Sequence, residues 1–113
     1  MEQNYAVVLT GSNEDFKDNL QLANDCKIPP VVCENFSIKE TSALFKISNL
    51  LISIDTFAIH LASALELPTI ALFGPTSEKN WAPWKNKHII ISLSESDDIA
   101  FSCRPCGIDG CGG

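Results

Sequence analysis

Short apolar runs recur along the chain and are separated by stretches that are apolar on one side only. The runs are rich in Val, Ile and Leu and have the length of strands buried on both faces of a sheet. We predict such strands at residues 5–10, 28–33, 50–54, 69–73 and 88–93. The stretches between them space their apolar residues as an amphipathic helix does. We predict helices at about residues 14–25, 38–48 and 59–67.

Polar residues and a proline predict where these helices begin and end. Ser12 or Asn13 is expected to cap the first helix. Ser37 and Glu40 have the spacing of a capping box at the start of the second helix. Pro68 is expected to end the third helix, because a proline ring disfavours the helical conformation in the residue before it.

The alternation of strands and helices determines the predicted fold class. A strand, a helix and a strand with short joints form a parallel βαβ unit. We therefore predict an α/β fold, a three-layer Rossmann-like domain with a parallel sheet. A chain of 113 residues suits a single domain. Its first strand begins close to Met1 and its Cys- and Gly-rich tail, residues 101–113, has no closing helix, so we expect that domain to be incomplete.

Composition and charge narrow the classes of partner. The formal net charge is −6, and we expect no nucleic-acid partner because binding to a phosphate backbone needs clustered Lys and Arg. We expect no signal peptide and no transmembrane segment, since no apolar run reaches the roughly 18 residues that span a bilayer. The five cysteines are an odd number and are expected to be mostly free thiols. We predict a cytoplasmic protein, with peripheral attachment to the inner face of the cell membrane left open.

Several polar residues fall where predicted strands end. Asp55 and Thr56 directly follow the third strand, and His60 lies one turn into the next helix. Thr76 follows the fourth strand. In a parallel sheet ligands bind at this edge, and the free amides and dipole of a helix N-terminus attract phosphate. From the residues alone, an ordinary N-cap explains Asp55 and Thr56 equally well.

Residues 55–76 also carry a specific order of residue types. The pattern is D-[ST]-G-x-x-H-x-A-x-A, then a proline, an apolar strand and F-G-P-T. The matching residues are Asp55, Thr56, His60, Ala62, Ala64, Pro68, Phe73, Gly74, Pro75 and Thr76. In this pattern, and in the W-A-P-W and C-R-P-C runs at residues 81–84 and 103–106, the chain resembles the ADP-heptose:lipopolysaccharide heptosyltransferases, glycosyltransferase family 9. The resemblance covers nearly the whole chain.

The resemblance implies part of the C-terminal half of a GT-B fold, the half that holds the nucleotide-sugar donor. It implies a nucleotide-diphosphate sugar as the ligand, ADP-heptose first, in lipopolysaccharide core biosynthesis, with no cofactor and no metal. In such enzymes the acceptor and the catalytic base belong mainly to an N-terminal domain, which is missing here, so we do not expect the chain alone to complete a sugar transfer. Phe57 stands where the family usually has Gly. It either narrows the donor site or points away and leaves its amide usable.

The resemblance also implies roles at the donor site. The amides at this helix end, that of Phe57 included, and the Thr56 hydroxyl are expected to hold the diphosphate of the donor. Asp55 is expected to accept from a sugar or ribose hydroxyl. His60 is the catalytic candidate, because a cation or N–H donor there would offset charge on the leaving nucleotide. Thr76 is expected to donate to the sugar. For His60 the structural alternative, a histidine that serves only the fold, stays open.

Two interpretations stay open for three of the residues outside this stretch. Phe36 packs a nucleotide base or acts as a hydrophobic staple or core side chain. Glu14 and Asp15 bind ribose hydroxyls or form a solvated first helical turn. Trp81 and Trp84 are expected to form a hydrophobic contact with the missing partner domain.

Two rival functions belong to other classes. A degenerate, non-catalytic nucleotide-binding or interaction module fits the Phe57 departure. A small metal-binding protein is suggested by Cys103, Cys106 and Cys111, with His88 as the only further ligand nearby. Because structural zinc sites usually have four ligands in recognisable pairs, free thiols are our prediction for these cysteines.

Overall fold

The computed structural model describes residues 5–92 and 104–106, and contacts within the chain divide it into two compact units, Met1–Thr41 and Ser42–Gly113. Each unit has its own sheet, and every strand pairing in the described residues is parallel. Strands and helices alternate along the chain, so the predicted α/β class with parallel pairing is confirmed. The described strands form two sheets, whereas the sequence predicted one. None of the helices in the described ranges is long and apolar enough to cross a bilayer.

The first unit contains one βαβ unit. Strand β1 (Val8–Thr10) pairs with strand β2 (Val31–Cys33), and Val8 lies opposite Val31. Helix α1 (Phe16–Asp25) connects the two strands and contacts both. Both strands are shorter than predicted, because only three residues of each take part in the pairing.

The two helices that follow β1 and β2 begin in different ways. No side chain caps α1, because Asp15 at its start accepts hydrogen bonds from Ser12 instead, so the predicted side-chain cap is wrong. Helix α2 (Ile38–Ile47) begins with the predicted capping box. The Ser37 amide donates to the Glu40 carboxylate at 2.8 Å, and the Glu40 amide donates to the Ser37 hydroxyl at 3.3 Å.

The second unit holds a three-stranded sheet. Its elements are β3 (Leu51–Ile54), α3 (Phe57–Ala64), β4 (Thr69–Phe73), α4 (Glu78–Trp81) and β5 (His88–Ser92). The strand order is β3-β4-β5, with Leu51 opposite Thr69 and Thr69 opposite His88. Helix α4 is a single turn between β4 and β5, where the sequence predicts no helix. Leu93, the predicted last residue of the final strand, lies outside the described residues.

Helix α3 ends before the proline that was expected to end it. The Leu67 amide donates to the Ala62 carbonyl at 2.9 Å and the Glu66 amide donates to the Ser63 carbonyl at 3.1 Å. This pair of bonds is a Schellman motif, which needs one residue in the left-handed conformation. Glu66 supplies it with φ at 58°. The helix therefore ends at Ala64, and the prediction that Pro68 sets its end is wrong.

One face of the second unit's sheet is covered and the other is open. On the covered face Ile59 of α3 packs with Ala71 and Phe73 of β4. On the opposite face four isoleucines from β3 and β5 are each between 54% and 63% exposed. They are Ile52, Ile54, Ile89 and Ile91. The packing of α3 thus fixes its N-terminus at the end of β3. Ligands of a parallel sheet are expected at this edge.

Candidate functional site

Asp55 and Thr76 meet at the carboxyl edge of the second unit's sheet. They follow β3 and β4, which are paired neighbours, so the two strand ends lie side by side. The Thr76 hydroxyl donates to Oδ2 of Asp55 at 2.6 Å, and both residues are half-buried. The predicted grouping of these two residues is confirmed. Because the hydroxyl proton is directed to Asp55, Thr76 offers a ligand an acceptor lone pair rather than the expected donor.

Thr56 caps helix α3. Its hydroxyl accepts from the Ala58 amide at 3.3 Å and its carbonyl accepts from the Ile59 amide at 3.2 Å. The ordinary N-cap that the sequence left open is therefore present. Neither bond involves the amide of Phe57, which is the first residue of the helix. A helix N-terminus leaves its first amides without intrahelical partners and carries the positive end of the helix dipole, a combination that favours an anion.

Phe57 and His60 are both exposed on α3. The Phe57 side chain is 57% exposed and does not pack into the core. The His60 ring meets the ring of Trp81 edge-on, with the centroids 6.3 Å apart and the planes at 67°. Within the described part of the chain, no hydrogen bond joins His60 to Asp55 or Thr76. The catalytic role of His60 therefore stays a prediction that depends on a ligand lying between these groups.

A shallow groove runs along α3 beside His60. Its lining residues are His60, Ser63, Ala64, Glu66, Trp84 and Lys85. The Trp84 amide donates to the Ser63 hydroxyl at 3.0 Å, and the Lys85 ammonium lies 4.2 Å from the centroid of the Trp84 ring. The Trp84 side chain is 71% exposed. This exposure suits the predicted contact with a partner domain, which stays a prediction.

Three predicted site residues belong to the first unit. Both the amide and the hydroxyl of Ser12 donate to Oδ2 of Asp15 at 2.7 Å. The hydroxyl bond, and then the amide bond, hold the pKa of Asp15 below its usual range. Glu14 is exposed, and Phe36 is 40% exposed just before the capping box. The ribose and base roles of these residues stay predictions.

Arg104 is a residue that the sequence did not single out. Its guanidinium donates to the Gly74 carbonyl, to the Thr76 carbonyl at 3.1 Å and to the Glu78 carboxylate at 2.9 Å. The pKa of Glu78 is lowered chiefly by a hydrogen bond from its own backbone amide; burial opposes this, and the charge of Arg104 lowers the pKa by a lesser amount. The one sequence signal for Arg104 is its place in the C-R-P-C run.

The cysteine-rich tail lies mostly outside the described residues. Cys103 and Cys111 are among the residues left undescribed, and Cys106 is a half-buried free thiol. In residues 5–92 and 104–106, no three His, Cys, Asp or Glu side chains are placed to hold a metal ion. His88, the remaining candidate ligand, has its Nδ1 3.0 Å from the Asn86 carbonyl oxygen.

Nearly the whole chain matches one protein family. Residues 1–105 match the sequence model of glycosyltransferase family 9 (heptosyltransferase). The chain belongs to this family. It is 36% identical over 91 residues to lipopolysaccharide heptosyltransferase 3 of Escherichia coli, which covers 75% of this chain and 26% of that protein. It is 27% identical over 75 residues to lipooligosaccharide heptosyltransferase 2 of Campylobacter jejuni, which covers 66% of this chain and 22% of that protein.

A solved structure of the same family shares the fold. The glycosyl transferase family 9 protein from Veillonella parvula superposes with a TM-score of 0.73 at 23% identity, over 79% of this chain and 26% of that one. Membership of glycosyltransferase family 9 and the predicted fold class are thus confirmed. The chain spans about a quarter of the length of these relatives.

Proposed function

We propose that this chain is the donor-binding part of a heptosyltransferase and that it holds a nucleotide-diphosphate sugar, ADP-heptose, for lipopolysaccharide core assembly. The observation that carries the proposal is the bonded pair of Thr76 and Asp55 beside the N-terminus of α3, in a chain of glycosyltransferase family 9. Relatives named as lipopolysaccharide and lipooligosaccharide heptosyltransferases support this class of donor.

The proposed site binds the donor through two kinds of group. The diphosphate lies at the N-terminus of α3, where the Phe57 amide and the helix dipole favour negative charge. Oδ1 of Asp55, the oxygen that does not receive the Thr76 proton, accepts a ribose or sugar hydroxyl. A carboxylate repels a nearby diphosphate. Binding is therefore favoured when Asp55 accepts a hydrogen bond from a hydroxyl and does not face the phosphates.

His60 is the residue that we propose for the chemical step. An imidazole N–H one turn into α3 can face the diphosphate and offset the charge that builds on it as the bond to the sugar breaks. No metal or cofactor is proposed for this step. The acceptor and the catalytic base are proposed to come from an N-terminal domain outside this chain, and the reaction is proposed to take place in the cytoplasm.

The two histidines of the chain give the test an internal control. His88 begins β5 and makes its contact with the Asn86 carbonyl. We expect ADP to shift the ring resonances of His60 and the amide resonances of Asp55 and Thr56, and to leave the His88 ring unchanged. His60→Gln and His88→Gln assign the two rings. No shift at His60, Asp55 and Thr56 with millimolar ADP would contradict the proposal.

A second function, nucleotide or protein binding without catalysis, is favoured by one observation. Phe57 occupies the first position of α3, where the resemblance calls for a glycine that lets the backbone approach phosphate. If ADP binds only to Phe57→Gly and not to the natural chain, the chain has lost its donor site and this second function is the better one.

A further inference from the structure

The residues 104–106 are bonded to every carbonyl of a short bend that follows β4. This bend consists of Gly74, Pro75 and Thr76. The Arg104 guanidinium donates to the first and third carbonyls, and the Cys106 amide donates to the Pro75 carbonyl at 3.0 Å. The Arg104 side chain is only 15% exposed. A guanidinium suits this arrangement, because its donors form a rigid, planar fork.

Packing around the first residue of the bend is open. A Cβ built on Gly74 would meet no atom within 4 Å, and the residue is exposed. At Gly74 the contact that the structure shows is the hydrogen bond from Arg104 to its carbonyl. Arg104 also donates to the Glu78 carboxylate, whose other oxygen accepts from the Ser92 hydroxyl at 3.3 Å.

The same residue that accepts from Arg104 donates to Asp55. The Thr76 carbonyl receives the guanidinium at 3.1 Å, and the Thr76 hydroxyl bonds the Asp55 carboxylate at 2.6 Å. A shift of the bend would change the position of that hydroxyl and hence the orientation of the Asp55 carboxylate. A misplacement of about 1 Å at such a group is enough to weaken a positioned contact strongly.

We propose that Arg104 is a positioning residue of the donor site, which acts through Thr76 to fix the orientation of the Asp55 carboxylate. This inference rests on the proposed donor site. It adds to that site a residue 28 positions after Thr76. The fork of donors of this residue holds the bend at its two ends.

The test is ADP affinity measured by calorimetry on the 113-residue chain and its variants. Arg104→Met keeps the length of the stem and removes every donor, and we expect about tenfold weaker binding of ADP. Thr76→Val should weaken binding by a similar factor. The double variant should bind no more weakly than the weaker single variant, because both changes remove the same positioned carboxylate. Glu78→Gln, which loses the ion pair and keeps the bonds to the carbonyls, should bind within about twofold of the natural chain.

The outcomes of these measurements separate the two proposals. If the natural chain does not bind ADP, the proposed donor site itself is wrong. If the natural chain binds and Arg104→Met binds equally well, or the losses in the double variant multiply, the positioning role is wrong and the donor site stands. Arg104→Lys is the second variant if Arg104→Met does not fold. A lysine keeps the charge but lacks the fork, so affinity equal to that of the natural chain would also overturn the role.

Discussion

The hydroxyl of Thr76 and the carboxylate of Asp55 are joined across two neighbouring strand ends at 2.6 Å. A hydrogen bond to an ionised group contributes more than one between neutral groups. We expect Thr76→Val, which has nearly the same shape, to lower the free energy of unfolding by about 1.5 kcal/mol. Thr76→Ser keeps the hydroxyl and should stay close to the natural chain. Urea unfolding measures both, and equal losses in the two variants would contradict the contribution of this bond.

Phe57 is the first residue of α3, and its side chain is exposed. Phe57→Gly should strengthen ADP binding by about tenfold, because removal of the side chain lets phosphate approach the amide more closely. The same change should lower helix stability by about 0.5–1 kcal/mol, the usual difference between Gly and Ala in a helix. Phe57→Ala is the matched control and should have an intermediate affinity. Calorimetric titration with ADP checks the order, and equal affinity in all three chains would rule out an effect of the ring.

Glu66 occupies a backbone conformation that favours glycine. Its φ of 58° is left-handed, a region where a side chain costs about 1 kcal/mol. Glu66→Gly should therefore raise the free energy of unfolding by about that amount, although glycine also increases the freedom of the unfolded chain. Glu66→Ala keeps a Cβ and should be nearly neutral. A denaturation midpoint for Glu66→Gly at or below that of Glu66→Ala would argue against the strain.

The capping box of α2 should be sensitive to acid. The bonds from the Ser37 hydroxyl, and then from its amide, lower the pKa of Glu40 below its usual range. A carboxyl with a lowered pKa in the folded state stabilises the fold at neutral pH, and this contribution is lost as the pH falls through that lowered pKa. We expect Ser37→Ala to raise the Glu40 pKa towards its usual range. NMR titration of the Glu40 carboxyl carbon measures this change. In Glu40→Gln this part of the acid dependence of stability should disappear.

Strand β4 could be predicted with correct bounds, whereas the end of α3 could not. Every second residue of β4, Thr69, Ala71 and Phe73, is buried, so burial and the apolar run agree. The end of α3 depends on Glu66 in a left-handed conformation that glutamate rarely adopts. No residue type at this position predicts that conformation. Pro68 was a strong but indirect signal, since a proline limits where a helix can end without fixing where it does end.

Some residues of the candidate site could likewise be predicted from the sequence, and others could not. Asp55, Thr56 and Thr76 follow strands at the edge where parallel sheets bind ligands, so their positions could be expected from the alternation of elements. Arg104 could not, because its partners at residues 74 and 76 are backbone carbonyls, which every residue type provides. The direction of the Thr76 proton could not be predicted either, since it depends on the distance to Asp55.

Two opposing forces act between copies of this chain in water. One comes from the exposed sheet face that carries Ile52, Ile54, Ile89 and Ile91. Apolar side chains on an exposed sheet face attract similar surfaces, whereas a formal net charge of −6 makes copies of the chain repel one another. Dissolved salt weakens the repulsion over about 8 Å at physiological ionic strength and leaves the attraction intact. The balance in this chain therefore shifts towards clustering as the ionic strength rises.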